Sequence, residues 1–269
     1  MKINGTVIKG KQLARELGFP TANVYTIHSL KSGIYTGKLN NLDCIIYITK
    51  SLIECHIPNW TGDLYNQEVN IIIDIFLRPH KNFKCLDEII TQIKTDMTVY
   101  NLIKSVQETK GRSFVSFSGG KESCILIDLL TRCNIEFDII HFKPIESEVN
   151  HFIKSYNPII IEYTSFKEAV QECDNYNNCF IGVRKNDCSI KESNWLQHCK
   201  VIYPLFEFSY SDVWTYIDYF NVEVSKLYSE GYTSVGYNCK PNKFLKKLDG
   251  SGYIHAKFLN NIYLERNNS

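Results

Sequence analysis

In the first third of the chain, short apolar runs rich in β-branched residues alternate with turn residues. No helical repeat lies between these runs up to about Phe83. The runs read INGTVI, GIYTGKL, CIIYITK, SLIECHI and EVNIIIDIFL. Because short strands at such close spacing are typical of closed or sandwich-like sheets, the pattern predicts a small antiparallel β-barrel.

The segment that follows, from Leu86 to about Val106, has a different repeat. Its apolar residues are three and four positions apart, which places them on one face of a helix. We expect this helix to close a first domain of residues 1–108. A second domain of residues 109–269 then follows.

In the second domain, strand-like and helix-like segments alternate. The strand-like segments read SFVSF, EFDIIHF, PIIIEYT and CFIGV, and the helix-like segments read CILIDLLTRC, EVNHFIKSY and FKEAVQECD. Such alternation predicts an α/β domain whose parallel sheet is connected by crossover helices. Ligands of such sheets bind beyond the carboxyl ends of the strands.

A further helix is predicted at SYSDVWTYIDYF. Ser209 and Asp212 have the spacing of a capping box at its start. We expect Trp214 and Tyr216 on this helix to be core residues and not flavin-stacking residues.

Composition narrows the class of protein. The chain has 269 residues, 44% of them hydrophobic, and no apolar run approaches the about 18 residues of a membrane span. The start, MKINGTVIKGK, lacks the apolar core of a signal peptide, so we expect a cytoplasmic protein without a membrane partner. The net charge of +1 gives no general attraction to nucleic acid, and we expect no nucleic-acid partner. The oligomeric state is open.

The ten cysteines are scattered, and none forms a C-x-x-C pair. Most lie in apolar stretches such as LDCII and RCNIEF. This distribution favours buried thiols in a reducing compartment over a disulfide framework or a zinc site.

The segment Ser118–Ser123 reads SGGKES and joins a predicted strand to a predicted helix. Its two glycines let the backbone approach an anion closely, and successive N–H groups at a helix start form an anion site. Its lysine adds a positive charge and its serines add hydroxyl donors. The segment is not a Walker loop, because Glu122 separates the lysine from the serine. Taken alone, it fits a phosphate site and a plain strand-to-helix turn about equally well.

This loop resembles the S-G-G-K-D-S pyrophosphate loop of the ATP pyrophosphatase-type and phosphoadenylylsulfate-reductase-type enzymes. Glu122 stands where those enzymes usually have Asp and is one methylene longer. The motifs that follow have the order found in eukaryotic FAD synthases: FIGVRKND, YPLFEFSYSDVW, LYSEGYTSVG and the terminal LER. One departure is Ile254-His255, which occupies the place of an Arg-Pro pair.

The resemblance implies a Rossmann-like domain with FMN adenylyltransferase activity. FMN phosphate would attack the α-phosphorus of ATP, and pyrophosphate would leave with Mg²⁺ bridging its oxygens. The implied catalytic residues are Lys121, Arg184 and Asp187. The implied nucleotide- and flavin-binding residues are Ser118, Gly119, Gly120, Glu122, Ser123, Gly231, Tyr232, Thr233 and Arg266.

The first half resembles riboflavin kinases. LGFPTAN is similar to their P-T-A-N signature, in which Thr21 and Asn23 would help to hold Mg²⁺ and the ATP phosphates. IECHI resembles the segment that carries their general base, which implies that role for Glu54. Four further motifs keep the order of that family: GIYTG before IECHI, and DLYNQ, FLRPHKNF and LDEIITQIKTD after it.

The first half also departs from that family in three places. The loop after Gly10 reads KQLARE, where the family has a glycine-rich flap over ATP, and bulky residues do not readily take the positive φ angles of such a flap. The loop before Glu54 is short. Asn66 replaces a glycine, but asparagine tolerates a left-handed backbone better than most residues.

Together these resemblances predict a bifunctional enzyme that converts riboflavin to FMN and FMN to FAD. ATP is the co-substrate of both steps. One alternative is that only the second half is active and that the barrel is a flavin-binding module. Another is a sulfonucleotide reductase or a thiolation enzyme. Such reductases rely on a C-terminal cysteine in an E-C-G-[IL]-H-like segment, and Cys239, the last cysteine of this chain, lies in YNCKPN instead. Thiolation enzymes usually carry a C-x-x-C pair, which is absent from this sequence.

Overall fold

The computed structural model describes residues 1–10, 13–143, 150–162, 172–185, 199–235 and 240–259. Contacts divide the chain into two compact units. We call Met1–Asn101 the barrel unit and Leu102–Ser269 the sheet unit.

The barrel unit is a closed, six-stranded antiparallel barrel, as the sequence predicts. Its strands are β1 (Lys2–Ile8), β2 (Ala22–Tyr25), β3 (Gly33–Leu39), β4 (Leu42–Ile48), β5 (Leu52–His56) and β6 (Glu68–Pro79). They are hydrogen-bonded in the order β1-β2-β5-β4-β3-β6. The α-helices that the structure describes in this part of the chain are α1 (Leu13–Glu16) and α2 (Leu86–Gln107), and α2 continues beyond Asn101, the last residue of the barrel unit. The periodic segment from Leu86 is therefore helical as predicted, whereas strand β2 was not predicted from the sequence.

Alternation along each strand decides which side chains fill the barrel. On β5, Ile53 and Cys55 are fully buried in the barrel core, while Glu54 and His56 are only half-buried. Successive side chains of a strand point to opposite faces. The same residues that build the core therefore place Glu54 on the outer face.

The sheet unit contains a five-stranded parallel sheet, again as predicted. Its strands are β7 (Ser113–Ser116), β8 (Phe137–Lys143), β9 (Ile159–Glu162), β10 (Asn178–Phe180) and β11 (Lys200–Ile202), in the order β11-β10-β7-β8-β9. The α-helices that the structure describes after β7 are α3 (Lys121–Arg132), α4 (Asn150–Ser155) and α5 (Tyr210–Phe220). Strand β11 was not predicted, and most of the predicted helix FKEAVQECD lies outside the described residues.

Helix α5 begins with the predicted capping box. The Asp212 N–H donates to the Ser209 hydroxyl, and the Ser209 N–H donates to the Asp212 carboxylate at 2.9 Å. Trp214 and Tyr216 are buried, which confirms that they are core residues. The Tyr216 hydroxyl also donates to Asp128 on α3 at 2.9 Å, so it ties the two helices together.

The eight cysteines within the described residues are free thiols, and six of them are buried, as predicted. Cys188 and Cys239 lie outside the described residues. Among the helices that the structure describes, none has the length and apolar character needed to cross a membrane.

Candidate active sites

The predicted metal ligands and general base of the barrel unit lie together. Strands β2 and β5 are antiparallel neighbours, and their register pairs Asn23 with Glu54. The Thr21 hydroxyl donates to Glu54 Oε2 at 3.4 Å, and the Asn23 side-chain amide donates to the Thr21 carbonyl at 3.4 Å. Residues 33 positions apart in sequence thus share one polar cluster, built from a hydroxyl, an amide and a carboxylate.

Burial raises the pKa of Glu54 above the ordinary glutamate value, and the hydrogen bond from Thr21 lowers it again in part. A less solvated carboxylate is a stronger base once it is ionised. The environment therefore suits proton abstraction from a substrate hydroxyl.

Contacts from outside the motif fix the turn that carries Thr21. The His56 ring nitrogen Nδ1 lies 2.9 Å from the Pro20 carbonyl, and the His56 ring packs edge-on against Phe19. Gly10 lies against the Asn23 amide, because a Cβ on Gly10 would come within 2.6 Å of three atoms of that side chain. The sequence gives Gly10 no role, and only the pairing of β1 with β2 reveals it.

A cavity of about 370 Å³ opens beside Thr21 in the barrel unit. Its wall mixes apolar, aromatic and charged groups: Val7, Arg15, Pro20, Thr21, Ala22, Cys55, Ile57, Trp60, Thr61, Gly62, Asp63, Leu64 and Tyr65. A largely apolar cleft with a few polar groups at one end is typical of small-molecule sites. Its position makes Thr21 the link between the cavity and the polar cluster around Glu54.

The segment KQLARE, where kinases have a glycine-rich flap, forms a helical turn in its described part. Helix α1 covers Leu13–Glu16, and the chain leaves it through Gly18, whose φ is +86°. The Phe19 N–H donates to the Ala14 carbonyl at 2.7 Å and closes this turn. The turn brings Arg15 to the wall of the cavity, in the part of the chain where the family has glycines.

Asn66 has φ +62°, so it takes the left-handed conformation expected for the residue that replaces glycine here. Its N–H donates to the Val7 carbonyl at 2.9 Å, and the Asp63 carboxylate accepts the Tyr65 N–H at 2.8 Å. The loop that lines the cavity is thus held without the glycine.

An aromatic pair that the sequence did not single out lies beside Glu54. Tyr47 on β4 is the register partner of Glu54 on β5. The Tyr47 hydroxyl lies 2.6 Å from His80 Nδ1, and the two rings are stacked with centroids 5.8 Å apart. His80 is thus joined through Tyr47 to the strand pair that carries the candidate base, and only the fold reveals this contact.

In the sheet unit, the segment SGGKES forms a tight bend between β7 and α3. Gly119 has φ +78°, a conformation that favours glycine, and Gly120 is the extended N-cap of α3. The Gly120 N–H donates to the Ser118 hydroxyl at 3.3 Å, and the Ser123 hydroxyl donates to the Gly120 carbonyl at 2.8 Å. The bend therefore lies at the carboxyl end of a central strand and at a helix start, as predicted.

Lys121 is held inside the unit by the segment after α5. Its side chain is 2% exposed, and its ammonium donates to the Thr233 carbonyl at 3.1 Å. Its backbone N–H donates to the Tyr228 hydroxyl at 2.9 Å. The Tyr210 ring centroid is 5.2 Å from the ammonium. Lys121 thus joins the glycine bend to the GYTS motif.

Glu122 lies between two cations. Its Oε1 atom is 3.0 Å from Lys121 Nζ and 3.2 Å from Arg184 Nε. The Arg184 side chain is only 3% exposed, so it is not the solvated surface arginine that a residue just after a strand usually is. The structure thus brings three predicted residues from two motifs together.

The glycine of the GYTS motif packs against residues that follow it in the chain. Gly231 has φ +85°, and a Cβ there would lie 2.5 Å from Tyr253 Cβ. The Gly231 carbonyl accepts the Asn242 N–H at 2.8 Å. Tyr232 is half-buried and Thr233 is fully buried. Two other predicted site residues, Asp187 and Arg266, lie outside the described residues.

His255, in the place of the expected Arg-Pro pair, is a packing residue in this structure. Its ring contacts Trp214 edge-on at 5.0 Å, and Trp214 in turn contacts Tyr228 at 5.4 Å. Tyr228, which accepts the Lys121 N–H, lies inside the LYSEGYTSVG motif, but its contact with the bend was not predicted from the sequence. A buried aromatic path therefore ends at the glycine bend.

Comparison with known proteins separates the two halves in the same way. Residues 1–103 match the riboflavin kinase family. Residues 160–242 match the phosphoadenosine phosphosulfate reductase domain family. The resemblance of each half is thereby confirmed, and each match covers less than half of the chain.

The curated relatives include proteins named as riboflavin kinases and as FAD synthases. The chain is 31% identical over 133 residues to the RNA-binding riboflavin kinase RibR of Bacillus subtilis, covering 42% of this chain and 57% of that protein. It is 26% identical over 189 residues to a probable FAD synthase of Schizosaccharomyces pombe, covering 58% and 70%. It is 30% identical over 105 residues to a bifunctional riboflavin kinase/FMN adenylyltransferase of Mycoplasma pneumoniae, covering 35% and 39%. The chain thus spans little more than half of the Bacillus protein and well under half of the Mycoplasma protein.

Proposed function

We propose that this protein makes FAD from riboflavin in two ATP-dependent steps. The barrel carries the kinase step and the parallel-sheet domain carries the adenylyl transfer. The observation that carries the proposal is the polar cluster of Thr21, Asn23 and Glu54 beside a cavity in one half, together with a helix-start glycine bend in the other. We assign the steps to residues 1–108 and 109–269, since helix α2 continues to Gln107.

In the proposed kinase step, Glu54 takes the proton from the ribityl hydroxyl as that oxygen attacks the γ-phosphorus of ATP. Its desolvated carboxylate supports this role. The Thr21 hydroxyl and the Asn23 amide oxygen are hard oxygen donors next to one carboxylate, which fits Mg²⁺, an ion that also keeps water and phosphate ligands. Bound there, Mg²⁺ would neutralise charge on the phosphates.

In the proposed adenylyl transfer, an FMN phosphate oxygen attacks the α-phosphorus of ATP and the bond to pyrophosphate breaks. Charge develops on the leaving pyrophosphate, and donors preset around it lower the barrier. Gly119, Gly120 and the α3 start supply such donors, and a phosphate oxygen would replace the long contact to Ser118. Ser123 and Arg184 flank this place. The proposed roles of Asp187 and Arg266 rest on sequence resemblance alone.

We further propose that the substrates are the small molecules ATP, riboflavin and FMN, that the protein works in the cytoplasm, and that it needs no nucleic acid. Its buried free thiols support a reducing compartment. One relative is named as RNA-binding, so the proposal that this protein needs no nucleic acid requires its own test. Adding RNA should change neither rate, and a shift of the protein's mobility by RNA in a gel would contradict this expectation.

The decisive experiment supplies riboflavin, ATP and Mg²⁺ and separates the products by chromatography. FMN that accumulates first and FAD that follows would support both steps. FAD formed only from added FMN would restrict activity to the second half and make the barrel a binding module. In a separate reaction that supplies a sulfonucleotide and a dithiol reductant, formation of sulfite would instead favour the reductase alternative.

A further inference from the structure

We propose that Glu122 is a positioning residue that holds the Arg184 guanidinium at the glycine bend, and that it can do so only because it is a glutamate. The inference deepens the proposed adenylyl transfer and rests on it. Resemblance to the family leads one to expect an aspartate here, and a metal ligand is the simplest role for such a carboxylate. The geometry points to another role.

The contacts of Glu122 are ionic and buried. Its Oε1 lies 3.2 Å from Arg184 Nε and 3.0 Å from Lys121 Nζ, and the three side chains are 14%, 3% and 2% exposed in that order. Oε1 has no aligned hydrogen-bond partner, so the attraction depends on distance more than on angle. Burial also protects it from screening by salt.

Side-chain length decides whether these contacts form. An aspartate carboxylate would lie closer to the backbone by one carbon–carbon bond, about 1.5 Å. Because Oε1 of the longer side chain is already 3.2 Å from Arg184 Nε, we expect the oxygens of an aspartate on the same backbone to fall outside ion-pair distance. The extra methylene of Glu122 is therefore what spans from α3 to the segment after β10.

Gly182 brings that segment close enough. A Cβ on Gly182 would lie 2.8 Å from Glu122 Cβ and 3.0 Å from the Ser123 nitrogen. The carboxyl end of β10 therefore lies directly against the first turn of α3. Arg184 follows two residues later, within reach of the carboxylate. The small Gly182 thus allows the close approach that the ion pair between Glu122 and Arg184 requires.

Holding the guanidinium through Nε has a functional consequence. A guanidinium whose place is already restrained by an ion pair loses less conformational freedom when its terminal nitrogens bind phosphate. Glu122 then contributes to pyrophosphate binding through Arg184 without touching the ligand. A metal ligand at the same position would act independently of Arg184, and this difference can be measured.

The test is a double-mutant cycle with Glu122→Asp, Arg184→Lys and the double variant. Asp128→Glu is the matched control, since it changes an acidic residue of the same helix by one methylene. Asp128 is bonded to Arg132 and Tyr216, outside the proposed site. For each protein one measures kcat and KM for FAD formation from FMN, the Mg²⁺ concentration at half-maximal rate, the Kd of inorganic pyrophosphate and the melting temperature.

We expect each single variant to lower kcat/KM and weaken pyrophosphate binding by about tenfold or more. The double variant should be no worse than Arg184→Lys, and the Mg²⁺ requirement of Glu122→Asp should equal that of the unchanged protein. The control should retain both properties. If Arg184→Lys fails to melt cooperatively, Arg184→Gln takes its place.

Three outcomes would overturn the inference. The losses of the two single variants could multiply in the double variant, Glu122→Asp could need more Mg²⁺, or Glu122→Asp could keep full activity. If the unchanged protein binds pyrophosphate but forms no FAD, the proposed adenylyl transfer fails. The cycle is then decided on pyrophosphate affinity, where additive losses contradict positioning and coupled losses support it. A protein that shows neither property contradicts both proposals.

Discussion

At the scale of single residues, the candidate site of the barrel unit depends on a carboxylate whose pKa is changed by burial. Glu54 is a half-buried carboxylate with a raised pKa, and its neighbour Thr21 donates to it. A raised pKa means that folding shifts the equilibrium of this carboxyl group toward its neutral form, relative to the unfolded chain. The charge that would serve catalysis therefore opposes folding.

Replacing Glu54 by Gln should separate these two effects. The kinase step should fall by about a hundredfold or more because the base is lost. The melting temperature should rise at neutral pH, because a desolvated charge is removed, and the difference should shrink as pH falls below the Glu54 pKa, where the unchanged side chain is already neutral. A series of melting curves across pH checks the sign, and a stabilisation that grows at low pH would contradict it.

Gly10 offers a second test at this scale. In Gly10→Ala the new Cβ would collide with the Asn23 amide, which must then leave its place beside Glu54. We expect a loss of about tenfold or more in the kinase step, with adenylyl transfer from FMN unchanged. Gly18→Ala is the comparison variant, because it has open space around it but a positive φ. Equal losses in the two variants would indicate backbone strain and not displacement of Asn23.

At the scale of elements, a buried ion pair joins strand β6 to helix α2 within the barrel unit. Arg78 binds Asp96 through two nitrogens, at 2.8 and 2.7 Å, and Gln92 donates to the same carboxylate at 3.0 Å. The two charged side chains are 13% and 5% exposed. The planar guanidinium fixes the helix against the strand in both distance and angle.

Asp96→Asn should therefore destabilise the barrel unit by about 3 kcal/mol, because it leaves the Arg78 charge buried with its counter-charge removed. Lys38→Gln is the control. It breaks an exposed pair with Asp43 at 3.6 Å and should change stability by less than about 1 kcal/mol. Denaturant unfolding of both variants gives the comparison. Similar small losses would mean that the buried pair does not hold the helix.

At the scale of the whole molecule, one chain joins two folds that catalyse consecutive steps in the proposed reaction. In this proposal, FMN released by the first site is the substrate of the second. Joining the sites on one chain raises the local concentration of FMN at the second, although diffusion into solution competes. Coupling of this kind is a hypothesis about kinetics and requires no contact between the two units.

Complementing variants test this hypothesis. Glu54→Gln should block the first step and Gly119→Ala the second, because alanine strains the φ of +78° in the bend. An equimolar mixture of the two variants should make FAD from riboflavin with a longer lag than the unchanged protein at the same concentration of intact sites. Identical time courses would contradict any advantage of the single chain.

The sequence by itself determined the architecture, because strand alternation, helical periodicity and turn residues are local properties of the chain. It placed most strands, α2, the capping box of α5 and the bend at Gly119. It missed β2 and β11, which are short and whose pairing comes from neighbours distant in sequence.

Only the tertiary structure decided which side chains meet. The pairing of β2 with β5 brings Thr21 to Glu54, and the parallel order of β7 and β10 brings Arg184 to Glu122. Tyr228 joins the bend in the same way. These contacts depend on strand order and on the space left by glycines, and a linear pattern of residue types contains neither.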